Sequence, residues 1–174
     1  PYLSPTAGTN HPPERMNTPS QKELLPPNEL GGFSPNGNEY IITTDTENRT
    51  PLPWVNVIAN PNFGTVITES GHAYTWTENA HEMRLTPWNN DLVSDSTGEI
   101  FYLRDEEAGN FWSATPLPRG GQSPYKTRHG FGYSIFEHTE GGIYSEMTTF
   151  VDLERPVKFT VLKVRNHSGK KRHL

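Results

Sequence analysis

Apolar and polar positions along this chain alternate in short runs with the period of a strand. EYIIT (39–43), WVNVIA (54–59), GTVITE (64–69), HAYTW (72–76), EIFYLRD (99–105), YKTRHG (125–130), GYSIFEH (132–138), GIYSEMTTFV (142–151) and VKFTVLKVRN (157–166) are the clearest. Between them stand SPNGN, NPNFG, ESGH, EEAGN and TEGG, whose Gly, Pro and Asn supply the backbone angles of tight turns. EHTEGGIY (137–144) joins two alternating runs across a Gly pair and predicts a β-hairpin. No stretch of ten or more residues keeps a helical period with caps. The pattern predicts an all-β chain of short antiparallel strands, with residues 39–165 mostly strand and no helix longer than about three turns.

Two segments depart from the pattern. Residues 1–29 are rich in Pro, Asn, Thr and Ser and carry no period. They are expected to form an extended arm, irregular and held by Leu24 and Leu25. VKFTVLKVRN is apolar on both faces, with Val157, Phe159 and Val161 on one and Leu162 and Val164 on the other. Such a strand belongs in a sheet covered on both sides, or contains a bulge. After it NHSGK reads as a turn and KRHL as the start of a further strand, so the chain reads as cut inside its own sandwich at its C-terminal end.

Composition narrows the classes. At 174 residues the chain is long enough for one domain with a true core. Its apolar content is 32%, with 15 Gly and 16 Pro, which fits a turn-rich β protein. The net charge of -5 gives no nucleic-acid footprint. The absence of cysteine excludes a disulfide scaffold and thiolate metal sites. No apolar run approaches the roughly 20 residues of a membrane span. The chain begins at Pro1 with no signal peptide, which reads as a piece of something larger, with the cytoplasm as the expected compartment.

Several long blocks carry a family resemblance: ANPNFG (59–64), ESGHAYTWTENAHEMRLTPWNND (69–91), GEIFYLRDEEAGNFWS (98–113) and RHGFGYSIFEHTEGGIYSEMTTFV (128–151). Together they resemble the amino-terminal β-sandwich of glycoside hydrolase family 94, which contains oligosaccharide phosphorylases and part of the cyclic β-1,2-glucan synthases. LGGFSPNGNEYIIT (30–43) and TPLPWVNVIANPNFG (50–64) are most similar to the cyclic β-1,2-glucan synthases and β-1,2-oligoglucan phosphorylases. Met83 departs from the pattern, where a polar residue is usual, and Leu92 departs where Pro is common. The resemblance implies that residues 30–174 are part of an antiparallel super-sandwich of the galactose-mutarotase-like type. It further implies a catalytic (α/α)₆ barrel in the same parent chain, a β-glucan or oligosaccharide substrate, and inorganic phosphate as a possible co-substrate. A homodimer is compatible with it, as is an inner-membrane parent if that parent is a cyclic glucan synthase. A stand-alone carbohydrate-binding module or a structural interaction domain is the alternative.

All four tryptophans lie between Trp54 and Trp112, interleaved with Asn, Asp, Glu and Arg. Large rings beside planar hydrogen-bonding groups suit a sugar, with its apolar ring face and belt of hydroxyls. The competing destination is the core, where an aromatic buries a large area. Trp54, amid β-branched residues, is assigned there. Trp76, Asn79, Arg84, Trp88, Asn90 and Asp91 form the candidate substrate-binding set, because this stretch is densest in stacking and hydrogen-bonding groups. No catalytic residue is assigned, since the family's acid lies in the barrel and no carboxylate pair stands out among Glu69, Glu78, Glu82, Asp91, Asp95, Asp105, Glu106 and Glu107. Asp105–Glu107 read as solvated charge in a turn. Arg128-His129-Gly130 is a second candidate for anion or sugar contact. His72, His81, His129 and His138 lack metal-ligand spacing, so no metal site is assigned. The cluster of Lys and Arg over 155–172 reads as a solvated strand face.

Overall fold

The computed structural model describes residues 28–89, 91, 93–96 and 98–174. The arm at 1–29, with Leu24 and Leu25, therefore lies almost wholly outside the described residues, as do Asn90 and Leu92. The described chain is all-β. Its strands are β1 (Gly31–Phe33), β2 (Glu39–Thr44), β3 (Val55–Asn60), β4 (Phe63–Thr68), β5 (Ala73–Thr77), β6 (Tyr102–Arg104), β7 (Phe111–Ser113), β8 (Tyr125–Gly130), β9 (Tyr133–Glu140), β10 (Ile143–Val151) and β11 (Lys158–Asn166).

A six-stranded antiparallel sheet runs in the order β1-β2-β8-β9-β10-β11. The three-stranded sheet β3-β4-β5 and the hairpin β6-β7 cover one of its faces. The predicted hairpin at 137–144 is present. Gly141 and Gly142 take φ of 54° and 81°, the mirror-image turn whose twist matches that of paired strands.

Alternation decides which residues fill the space between layers. Ile58, Phe63, Ile67 and Ala73 from the small sheet meet Phe136, Met147 and Val151 from the large one. Leu103, Trp112 and Ile143 form a second cluster, and Leu162 packs against both. Asn56 and Asn60, four apart on β3, point the same way. The Asn56 amide donates to Gly130 O at 3.0 Å and Tyr133 O at 2.8 Å, while Asn60 reaches Asp152 O and Arg155 O. These bonds tie the layers together where backbone carbonyls would otherwise lack donors.

Four expectations are corrected. Trp54 is not core: its ring is half-buried, edge-on to Tyr40 at 5.8 Å, and Trp112 is the tryptophan that is 2% exposed. Among the described residues β11 has no bulge and nothing covers its outer face; it is an edge strand in unbroken register with β10, and Phe159 and Val161 are exposed. Residues 171–174 form no strand. They turn back on the β6–β7 corner, where Glu106 N donates to His173 O and Arg172 pairs with Asp105. Asp105 is consequently not solvated: it is 2% exposed, and its carboxylate also receives the Glu107 and Ala108 amides.

Candidate functional site

The outer face of the small sheet, turned away from the core, carries the candidate site. On β5, alternation sends Ala73 and Thr75 inward and Tyr74 and Trp76 outward. Trp76 stands opposite Gly64 of β4, and its ring covers that glycine. The chain then turns through 78–83 and returns beside β5, with Arg84 bridging Trp76, Leu85 N donating to Thr75 O, and Thr75 N donating to the Thr86 hydroxyl at 2.8 Å. The Tyr74 hydroxyl donates to Ala80 O and pins the turn.

Beyond it the chain lays Trp88 over Tyr74 (ring centroids 5.2 Å) and His72 (5.7 Å), while Trp76 contacts Tyr74 from its other side at 5.6 Å. The result is a continuous aromatic cluster in which Trp88 is the ring most open to solvent, at 37%. Beside Trp88 lies a cleft of about 60 Å³, room for about two waters, bordered by Pro53, Val55, Asn89, Asp91, Asp95 and Ser96.

The six sequence-derived residues separate into groups. Trp88 and Asp91 line the same cleft, and Trp76 joins them through Tyr74. Arg84 is bridged to Trp76 by backbone, with an exposed side chain. Asn79 sits at the turn and spends its side-chain oxygen on the His81 and Glu82 amides, at 2.7 and 3.2 Å. Asn90 lies outside the described residues. Asp91 accepts hydrogen bonds from the Ser94 hydroxyl and from the Ser94 and Val93 amides, which hold its carboxyl below the usual range. It is therefore ionised at neutral pH, suited to accepting bonds from hydroxyls and not to donating a proton.

Sequence reasoning missed Asn89, Asp95 and His72 as parts of this cleft. Asp95 is buried at a φ of 40° and accepts the Thr68 hydroxyl at 2.7 Å. No spacing rule signals it, because its partner lies 27 positions earlier.

The second candidate, Arg128-His129-Gly130, is placed elsewhere. Arg128 lies on the outer face of the large sheet between Glu39 (3.7 Å) and Glu137 (3.5 Å). His129 points inward, its Nε2 facing Trp54 O and its Nδ1 the Ser134 hydroxyl. In the basic C-terminal run, Lys158 and Lys163 are ion-paired, with Glu99 and Glu146. Glu69 is buried at 1% exposure, and burial raises its pKa against the hydrogen bonds from Thr50 and the Trp54 amide. Its carboxylate fastens the 50–54 segment to the β4–β5 turn.

Comparison with known proteins agrees with this architecture. Cyclic beta-(1,2)-glucan synthase NdvB of Rhizobium meliloti (strain 1021) is 36% identical over 148 residues, covering 84% of this chain and 5% of that protein. N,N'-diacetylchitobiose phosphorylase of Vibrio furnissii is 30% identical over 147 residues, covering 83% of this chain and 18% of that protein. Solabiose phosphorylase of Paenibacillus borealis is 31% identical over 151 residues, covering 83% and 19%. The chain thus spans less than a fifth of the length of each of these relatives. Residues 38–174 match the profile described as "Glycosyl hydrolase 94, supersandwich domain", and the chain belongs to that family.

Proposed function

We propose that this domain supplies glycan contacts to a β-glucan-active enzyme, a synthase or phosphorylase, whose bond-making chemistry resides in an (α/α)₆ barrel of the same protein. The observation that carries the reading is the open face of Trp88 beside Asn89, Asp91 and Asp95. An apolar plate edged by carboxylate and carboxamide groups matches a sugar's ring face and its hydroxyls. The relatives are named for a glucan, a chitobiose and a solabiose, all saccharides. Asp91 is held in its own turn as an anion, so it serves as a hydrogen-bond acceptor and not as a catalytic acid.

The test is Trp88→Ala and Trp76→Ala in the protein at its full encoded length, titrated with β-1,2-gluco-oligosaccharide. A stacked ring is worth about 0.5–1.5 kcal/mol beyond its buried area, so affinity should fall by up to about tenfold. The exposed Trp88 should leave the melting temperature nearly unchanged. A packing role alone would instead cost about 3–5 kcal/mol of stability with unaltered affinity, and that outcome refutes the proposal.

A further inference from the structure

The loop that carries Trp88 is built as a self-bonded unit. Asp91 accepts the Val93 and Ser94 amides, Asp95 N donates to Asp91 O at 3.1 Å, and the Asn89 amide donates to the Ser96 hydroxyl at 3.1 Å. Nothing in those bonds fixes where the unit sits on the sheet. That is done by two residues at the β4–β5 turn. Thr68, buried at the end of β4, donates its hydroxyl to Asp95 and accepts the His72 amide at 3.1 Å on the same oxygen. His72, also buried, donates Nδ1–H to Ser96 O, and its ring lies against Trp88.

The φ of 40° at Asp95 is a left-handed conformation that non-glycine residues adopt only at a cost, although Asp tolerates it better than most. Here it is held by a hydroxyl that is already bonded to the turn. The two tethers, Thr68–Asp95 and His72–Ser96, grip neighbouring residues of the loop. The unit they hold ends at Ser96, eight residues after the ring they orient, and the Asn89–Ser96 bond closes the gap.

We infer that Thr68 and His72 are positioning residues for the glycan surface. They act through the 88–96 loop, setting the tilt of Trp88 and the height of the Asn89–Asp91 edge. The inference rests on the reading of Trp88 given above, and its test separates the two. Thr68→Val keeps the shape of the residue and removes the donor to Asp95. His72→Phe keeps a ring against Trp88 and removes the donor to Ser96. Each is made in the full-length protein and titrated with β-1,2-gluco-oligosaccharide.

Either variant should bind up to about tenfold more weakly, the factor associated with a mis-set stacked ring. Thr68→Ser should restore binding, because it returns the hydroxyl. Combining Thr68→Val with Trp88→Ala should add little to Trp88→Ala alone, since both remove the same contact. Unchanged affinity in both single variants, with Trp88→Ala still weakening binding, overturns the positioning role and leaves the Trp88 reading intact. Unchanged affinity in Trp88→Ala overturns both. Should Thr68→Val fail to fold, His72→Phe gives the same discrimination.

Discussion

Gly64 offers the sharpest check on how Trp76 is held. A methyl group built there would lie 2.9 Å from both Trp76 Cε2 and Ala59 Cβ, closer than side-chain carbons approach one another, so the ring must move. Overpacking of this kind costs about 1–3 kcal/mol. Replacing a strand glycine by alanine returns about 0.5–1 kcal/mol through the unfolded chain. The net for Gly64→Ala is a loss of about 1–2 kcal/mol. For a domain of this size that is a drop in melting temperature of roughly 2–8 °C. On a Trp76→Ala background the indole contact is gone while the 2.9 Å approach to the Ala59 methyl remains, so the same substitution should cost about 0.5–1 kcal/mol. The double-mutant cycle therefore predicts a coupling of about 0.5–1 kcal/mol. Thermal melts followed by far-UV circular dichroism avoid any signal lost with the indole. An equal loss with and without Trp76 would show that the ring does not rest on Gly64, and the geometry of the aromatic cluster would be wrong.

Two further outcomes test the surrounding structure. His129 is pushed down to about 4 from 6.5 by burial, against the opposing effect of its hydrogen bond to the Trp54 carbonyl. Between pH 6.5 and 4 the unfolded chain therefore binds a proton that the folded one does not. Stability should fall as pH drops through that window, by up to about 1.4 kcal/mol per unit. His129→Gln should flatten this part of a urea-midpoint profile, and an unchanged profile refutes the assignment. Arg172→Ala strands the buried Asp105 and should cost about 3–5 kcal/mol, with residues 170–174 becoming open to limited proteolysis. Adding Asp105→Asn should recover part of that loss; a melt unaltered by Arg172→Ala would show the clamp to be idle.

The fold was legible where local rules act alone. The β9–β10 hairpin follows from TEGG between alternating runs, and β2 to β5 from period-2 patterning. β1 and β7 were not anticipated, being three residues long and so too short for a period to show. The aromatic part of the candidate cluster follows from local pattern, because Trp76 falls on the outward phase of β5 and Trp88 follows it into a loop. Its polar half could not. Asn79 and Asp91 look like ligands to a sugar, yet much of their bonding capacity goes to their own turns. That is the commonest use of such side chains in irregular backbone. Trp54 was misplaced because its β-branched neighbours Val55 and Val57 lie on an uncovered sheet face.

The pairing of β2 with β8 has a consequence for how such a surface can change. Thr44 and Tyr125 are partners on adjacent strands, so the entire excursion from 45 to 124 leaves and re-enters the large sheet at one point. Both smaller sheets and the Trp88 loop lie inside it. Lengthening a turn there, at 78–83 or 88–98, does not shift any rung of the six-stranded ladder. It adds only about 0.6 kcal/mol of closure entropy for each doubling of loop length. The surface built on this excursion can therefore change by insertion and deletion, while the six-stranded scaffold that presents it keeps its register.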